Sequence, residues 1–487
     1  MSAVSEKLKN KIFNGLGWKL GERLLNQGIT FVVSLVLARI LEPSDYGLVA
    51  KVYIFITIAN VFVVNGFSAA LIQKQDADDE DFSTILICSF GLSVLMYVVL
   101  YVSAPFIAVL FNSNKLISIV RVLSTVLPLS SCNAIWNAFL SRKLEFREIF
   151  IATLIGTIVS GTIGIIMAMA HFGVWALVAQ MIINQMATTI ALIKLSKWIP
   201  KLKLSTERVT PMIKFGASVL GADLIGTVFN QLNAFVIGLK YSDSQLAFYN
   251  RGQSIPYIIA NTFNSVSAGV YFPALSRLNG NVQEIKALTR KSTELFAYIL
   301  LPFYFGLIAV ADNMILVLLT DKWVEAAPFL KIVCIASIIG TIAPLDLQVL
   351  KAYGRSDIVF KLEFIKKPLW AIFTGIAVLR KSLMAIALVL PIATLMEIIV
   401  NSVAVSRLMR YTIEEKVKDW LGVVVPSLIM FGIVQSLNLI SINSVMLLII
   451  QIVSGVGVYV GISIIIGNKQ YIIIKEMIKE KLHNTVC

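Results

Sequence analysis

Residues 19–27 read K-L-G-E-R-L-L-N-Q, inside a stretch that is otherwise apolar. Lys19, Glu22, Arg23, Asn26, Gln27 and Thr30 follow i, i+3, i+4, i+7, i+8, i+11 spacing, which puts all six on one helix face. Two hundred residues later Asp223, Thr227, Asn230 and Gln231 form a second such stripe, followed by Asn250, Ser254, Tyr257, Asn261, Asn264 and Ser265. Tyr53, Thr57, Asn60 and Ser68 give a thinner version. The chemistry open to these residues is recognition rather than bond breaking. Arginine suits planar, bidentate phosphate binding. Amides and hydroxyls can hold sugar hydroxyls without fixing one sugar, and Glu22 or Asp223 could take up a proton or a sodium ion. Together they fit an amphiphilic anion with a polar head.

The elements that carry these stripes are membrane helices. The chain has 487 residues, 57% hydrophobic and 14% charged, with a mean hydropathy of +0.84. A soluble domain carries about a quarter charged residues. Apolar runs near or above the ~18-residue threshold for a membrane helix recur along the whole length. Read against Gly, Pro and charge breaks, they predict an all-α polytopic membrane protein. Its fourteen spans fall near 14–39, 46–72, 83–103, 116–140, 149–170, 173–193, 211–239, 246–273, 292–311, 325–350, 357–379, 382–405, 419–438 and 442–466. No small-residue cleavage site follows the first apolar run, so the first helix serves as an uncleaved insertion signal. An even count puts both termini on one side, and the positive-inside rule makes that side cytoplasmic, with about 29 of the 42 Lys and Arg in inner loops and tails.

The formal net charge of +14 is therefore topology and attraction to anionic membrane lipids, not a nucleic-acid surface. The acidic loop D-A-D-D-E-D (76–81) reads as a solvated turn whose last residues cap the third helix. Cys88, Cys132, Cys334 and Cys487 lack C-x-x-C spacing, and His171 and His483 stand far apart. Redox and zinc motifs are excluded, and no cofactor is expected beyond coupling to a proton or sodium gradient.

An internal repeat organises the spans. At an offset of 200, Leu20-Gly21 aligns with Leu220-Gly221, Val36 with Val236, Ser44 with Ser244, and Arg23 with Asp223. The predicted layout is an N-lobe of six helices at 1–195, a basic cytoplasmic linker at 196–210, and a C-lobe of six at 211–406. Two extra C-terminal helices follow at 407–466, then an amphipathic tail at 467–487 lying along the inner membrane surface. Two pseudo-symmetric six-helix lobes with polar faces are the arrangement of a transporter rocking around a central cavity.

A charge at the bilayer centre costs from about 2.5 to over 10 kcal/mol, so it must face protein or water. Arg23 lies roughly 13 Å into its span, near the midplane of a core about 30 Å thick. Lys19 is shallower and can snorkel. A private Glu22–Arg23 pair within the bundle would satisfy both charges, but it would not need the stripe of amides beside it. The expected substrate-cavity residues are Glu22, Arg23, Asn26, Gln27, Asp223, Thr227, Asn230, Gln231, Arg251 and Asn261. Arg251 and its repeat equivalent Lys51 enter from the outer side, where either could snorkel.

Six stretches in order, L-E-P-S-D-Y-G-L-V-A (41–50), S-A-A-L-I-Q-K-Q (68–75), F-G-V-W-A-L-V (172–178), F-Y-N-R-G (248–252), F-P-A-L-S-R-L (272–278) and D-K-W-V-E-A-A-P (321–328), carry a family resemblance. The chain resembles the polysaccharide transporter branch of the multidrug/oligosaccharidyl-lipid/polysaccharide flippase superfamily, the O-antigen, colanic acid and teichuronic acid exporters. The resemblance implies a non-enzymatic flippase of the bacterial cytoplasmic membrane. Its substrate would be an undecaprenyl-pyrophosphate-linked oligosaccharide repeat unit for surface polysaccharide biosynthesis, moved by alternating access. It implies a cavity lined by the first, second, seventh and eighth helices, and a polysaccharide polymerase as a candidate partner. Gly47, Trp175 and Pro273 read as packing and turn positions. Two other readings stay open: a cation-coupled multidrug exporter, and a membrane-embedded glycosyltransferase or polymerase using Asp312, Asp321 and Glu325.

Overall fold

A computed structural model describes residues 25–73, 78–200, 206–278 and 280–486. The described residues are predominantly helical, with no strand among them. Contacts divide the chain into two compact units, Met1–Ala247 and Phe248–Cys487.

In the first unit the helices are α1 (Leu25–Ile40), α2 (Pro43–Gln73), α3 (Asp79–Leu110), α4 (Lys115–Leu123) and α5 (Val126–Arg142). They are followed by α6 (Phe146–Met169), α7 (Val174–Ser196) and α8 (Thr206–Lys240), with the first turn of α9 (Asp243–Val266) closing the unit. Helix α8 lies along α2, and α6 along α7. The latter pair meets through buried Gly156, Ser160 and Gly164 of α6, small residues that let backbones approach where lipid supplies no hydrophobic drive. A core of Val52, Ile56, Ala104, Ile107, Leu116, Leu123 and Leu127 joins α2 to α5. The acidic loop caps α3 as expected: Asp78 accepts from the Asp81 N–H at 2.9 Å, and Asp81 accepts from the Asp78 N–H at 3.1 Å.

The second unit continues α9 through a π-helical turn at Ser267–Tyr271 into α10 (Phe272–Ser276) and α11 (Val282–Leu319). A 3-10 turn (Asp321–Ala326) leads to α12 (Ala327–Gly340), α13 (Ala343–Ala352), α14 (Ser356–Leu379) and α15 (Leu383–Met409). Helices α16 (Ile413–Ser436), α17 (Ser444–Ile465) and α18 (Lys469–Val486) complete it. Helix α11 has 38 residues, about 57 Å at 1.5 Å per residue, well beyond a ~30 Å hydrocarbon core. Its first turns form ion pairs with α16: Lys286–Glu415 at 2.9 Å and Arg290–Asp419 at 2.5 Å. The last two spans, outside the sequence repeat, are thus bolted to the body of this unit.

Among the described residues ten segments are long and apolar enough to cross a membrane. Helices α8, α9 and α14 fall on further expected spans without belonging to the ten, and α1 is described only as a short apolar helix. Two spans expected to be single are broken. The fourth divides into α4 and α5 at Ser124–Thr125, just before Pro128, and the tenth into α12 and α13 at Thr341–Ile342, just before Pro344. Proline lacks an N–H and clashes with the preceding turn, so it sits in the first turn of the second piece. The fourth and tenth spans are equivalent in the sequence repeat, and each unit carries the same interruption.

Candidate functional site

Glu22, Arg23 and Lys19 lie outside the described residues. Of the first stripe, Asn26 is half-buried and its side-chain oxygen accepts a hydrogen bond from the Thr157 hydroxyl of α6, while Gln27 and Thr30 are exposed. On α8, Asp223, Thr227 and Gln231 are half-buried and Asn230 is exposed. The packing of α8 on α2 brings the second and seventh expected spans together within one unit.

In the second unit, Asn261, Asn264 and Ser265 are exposed along the second half of α9, just before the π-helical turn. Such a turn inserts a residue into the helix ladder and recurs at functional sites. Here it buries Ser267 and Tyr271, and the Tyr271 hydroxyl lies 2.7 Å from that of Thr289. Arg251 is half-buried with its guanidinium 5.5 Å from the Trp323 ring, a cation–π contact. The F-Y-N-R-G stretch therefore packs on D-K-W-V-E-A-A-P. Phe248 meets Trp323 and Tyr249 meets Phe329 edge to face, and a Cβ on Gly252 would lie 2.7 Å from the Leu330 nitrogen.

Lys51, the repeat equivalent of Arg251, does not snorkel. Only 4% exposed, it pairs with Asp243 at 2.6 Å and lies 5.2 Å from the Phe111 ring. Each unit thus holds a cation over an aromatic ring just past the end of a long helix, Phe111 after α3 and Trp323 after α11.

Two charged clusters in the second unit escaped the sequence reading. Lys416 of α16 and Asp346 of α13 are almost wholly buried, joined at 2.6 Å through both carboxylate oxygens. The Ser402 hydroxyl of α15 lies 2.9 Å from the Lys416 nitrogen and 2.8 Å from Asp346. On α14, Lys366 is 5% exposed and bridges Glu363 of its own helix and Glu397 of α15, the latter at 3.3 Å. Lys367 lies 3.7 Å from Glu363 and 5.3 Å from the Trp370 ring. The i, i+3, i+4 spacing of Glu363, Lys366 and Lys367 in an apolar helix was the available signal.

A family described as "Polysaccharide biosynthesis protein" matches residues 36–328. The succinoglycan biosynthesis transport protein ExoT of Rhizobium meliloti (strain 1021) is 24% identical, covering 72% of this chain and 71% of its own. The teichuronic acid biosynthesis protein TuaB of Bacillus subtilis (strain 168) is 24% identical over 82% and 84%. The lipopolysaccharide biosynthesis protein WzxC of Escherichia coli (strain K12) is 22% identical over 74% and 73%. Among solved structures, the lipid II flippase MurJ in an inward closed conformation matches with a TM-score of 0.75 at 14% identity, over 93% of this chain and 98% of that one. An inward-facing multidrug resistance MATE family transporter matches with a TM-score of 0.63, also at 14% identity, over 80% and 99%. At these identities the structures speak to fold alone, and the fold is the one shared by MurJ and the MATE transporters. With the match spanning more than half of its length, the chain belongs to the polysaccharide biosynthesis protein family.

Proposed function

We propose that this protein is a flippase that moves an undecaprenyl-pyrophosphate-linked oligosaccharide repeat unit across the bacterial cytoplasmic membrane for surface polysaccharide biosynthesis. The observation that carries the reading is the run of half-buried and exposed polar side chains on α8 and α9, within helices of membrane-spanning length. Hydrocarbon does not tolerate such faces, and a private structural network would bury them. The relatives' names supply the cargo class: they serve succinoglycan, teichuronic acid and lipopolysaccharide biosynthesis, and the fold neighbour is a lipid II flippase.

In this reading fourteen helices cross the membrane, both termini are cytoplasmic, and two six-helix lobes alternate in access. Arg23 and Arg251 hold the pyrophosphate. Asn26, Gln27, Thr227, Asn230, Gln231 and Asn261 hold sugar hydroxyls, and Glu22 and Asp223 balance charge along the path. A polysaccharide polymerase would receive the product.

The test is Arg23→Ala and Asp223→Ala, scored for surface polysaccharide at matched protein level. Loss of a charge-assisted hydrogen bond, about 1.5–3 kcal/mol, should lower output by roughly ten- to a hundredfold. Undiminished polysaccharide from both variants removes these residues from the path. Drug resistance conferred on an expressing strain, without any lipid-linked intermediate accumulating in its deletion strain, would favour the multidrug exporter instead.

A further inference from the structure

One side of α3 is built for acyl chains. Phe90, Val94, Val98, Val102, Phe106 and Val109 are all exposed and follow one another at helical spacing. From Phe90 to Val109 the stripe is about 29 Å long, close to the ~30 Å of a hydrocarbon core. Among the exposed large side chains of this stretch only Tyr101 carries a polar atom. Beside that tyrosine stands a charge. The Arg121 guanidinium of α4 lies 4.5 Å from the centre of the Tyr101 ring, and the Tyr97 ring packs on Tyr101 at 5.9 Å.

Arg121 has no anionic partner in the protein. It is half-buried, and among the described residues its Nε is buried without a hydrogen-bond acceptor and its guanidinium forms no ion pair. Carboxylates are missing from its surroundings. Helix α4 packs on α2, α3 and α7 and runs on into α5. Helices α5 and α7 contain neither Asp nor Glu, and Asp45 is the only acid of α2. Those of α3 are Asp79, Glu80 and Asp81 in its first turn, about 30 Å or more along the helix from Tyr101. Asp45 has a cation of its own in Lys115, the first residue of α4. A ring face attracts a cation without neutralising it, and an unpaired charge beside lipid is costly.

The missing partner is within reach from the membrane. Arg121 is six residues from the start of α4, about 9 Å along its axis, a depth that a long side chain spans toward the headgroups. A lipid phosphate matches the planar guanidinium. Lys115, exposed at the helix end, adds a second positive charge, and the small side chain of exposed Ser118 leaves the space between them open. A headgroup ammonium would meet these two cations and no spare carboxylate, so the headgroup that fits is anionic. The polyprenyl carrier offers the same phosphate, but the site opens on the face that bulk lipid covers, and the more abundant ligand fills it by mass action.

We propose that Arg121, Tyr101 and Lys115 form a binding site for the phosphate of an anionic glycerophospholipid on the lipid-facing side of α3 and α4. The lipid's acyl chains lie along the Phe90–Val109 stripe, and its phosphate closes the charge balance of Arg121. In the topology proposed above this end of the two helices meets the outer leaflet. The site itself needs neither that orientation nor the flippase reading.

Native mass spectrometry of the purified full-length protein in detergent, titrated separately with phosphatidylglycerol, phosphatidylethanolamine and undecaprenyl phosphate, tests it. Phosphatidylglycerol should bind the wild type more tightly than phosphatidylethanolamine does. Its tightest site should weaken about ten- to a hundredfold in Arg121→Gln, the loss of a charge-assisted hydrogen bond. Arg121→Lys, which keeps the charge but not the planar donors, should fall between the two. Lys194→Gln, an exposed cation near the far end of α7, should bind as the wild type does. Melting in detergent should rise with phosphatidylglycerol in the wild type and not in Arg121→Gln, whose lipid-free melting shows that it is folded. Equal phosphatidylglycerol affinity in the wild type and Arg121→Gln overturns the site. Equal affinity of the wild type for the two phospholipids overturns the anionic headgroup, and this comparison stands even if Arg121→Gln does not fold. Tighter binding of undecaprenyl phosphate than of phosphatidylglycerol, lost in Arg121→Gln, overturns the phospholipid and gives the site to the carrier. No arm of the experiment measures transport, so failure of the flippase reading leaves its outcome unchanged.

Discussion

At the scale of single residues, the buried charges of the second unit separate what is structural from what is free to work. Lys416 and Asp346 share two 2.6 Å contacts and a serine hydroxyl, and neither side chain is more than 2% exposed. Desolvating two charges is costly, and their attraction compensates only while both are present. Lys416→Met should therefore strand the Asp346 carboxylate and cost about 3–5 kcal/mol. The double variant Asp346→Leu/Lys416→Met removes both charges and should recover most of that loss. Thermal unfolding of the purified protein in detergent reads the difference. If the double variant melts as low as the single one, the pair contributes more than mutual neutralisation. Tyr411 shows the same environment from the loop side: burial, reinforced by the Asp419 carboxylate 2.7 Å away, pushes its hydroxyl up, so it stays a neutral donor.

At the scale of elements, the family-like stretches are packing devices. A Cβ on Gly47 of L-E-P-S-D-Y-G would fall on the backbone carbonyl of Asp243, and one on Gly252 of F-Y-N-R-G would crowd the backbone of Ala326 and Leu330. Backbone cannot swing aside as a side chain can. Gly47→Val and Gly252→Val should each destabilise by about 1–3 kcal/mol or more, seen as lower yield of monodisperse protein and a lower melting temperature. Gly280→Ala, where a Cβ would meet open space, tests only its left-handed backbone (φ +80°) and should cost less. Equal losses at all three positions would mean that close approach is not what Gly47 and Gly252 provide.

Much of this architecture was legible because lipid is a demanding solvent. A helix across it needs about 20 predominantly apolar residues, so hydropathy located α2, α6, α7, α15 and α17 within a few residues, while α3, α11 and α16 run on beyond the apolar stretches that marked them. Helical periodicity found the polar faces of α8 and α9. The breaks before Pro128 and Pro344 were written in those prolines and went unread, because each apolar run continued past them. Pairings were not legible at all. Asn26 meets Thr157 and Lys416 meets Asp346 across long stretches of chain, and no local pattern encodes which helix faces which. Lys366 likewise meets Glu397 of the neighbouring helix, 31 positions along the chain.

At the scale of the whole molecule, the decisive quantity is the number of crossings, and α14 tests it best. It has 24 residues, about 36 Å of helix, enough for a ~30 Å core. Lys361, Glu363, Lys366 and Lys367 lower its apolar character, yet three of them neutralise one another or Glu397 on the interior face. A helix whose charges are paired inward can cross where its hydropathy alone would not allow it. Crossing puts Arg355 and Lys381, at its two ends, on opposite sides of the membrane. With the four native cysteines replaced by serine, Lys381→Cys should react with a membrane-impermeant maleimide in intact cells, and Arg355→Cys only after permeabilisation. Reaction of both, or neither, in intact cells would mean that α14 does not cross. Every span after it would then reverse, the basic loop around Arg407 and Arg410 would face outward, and the positive-inside asymmetry behind the whole topology would fail.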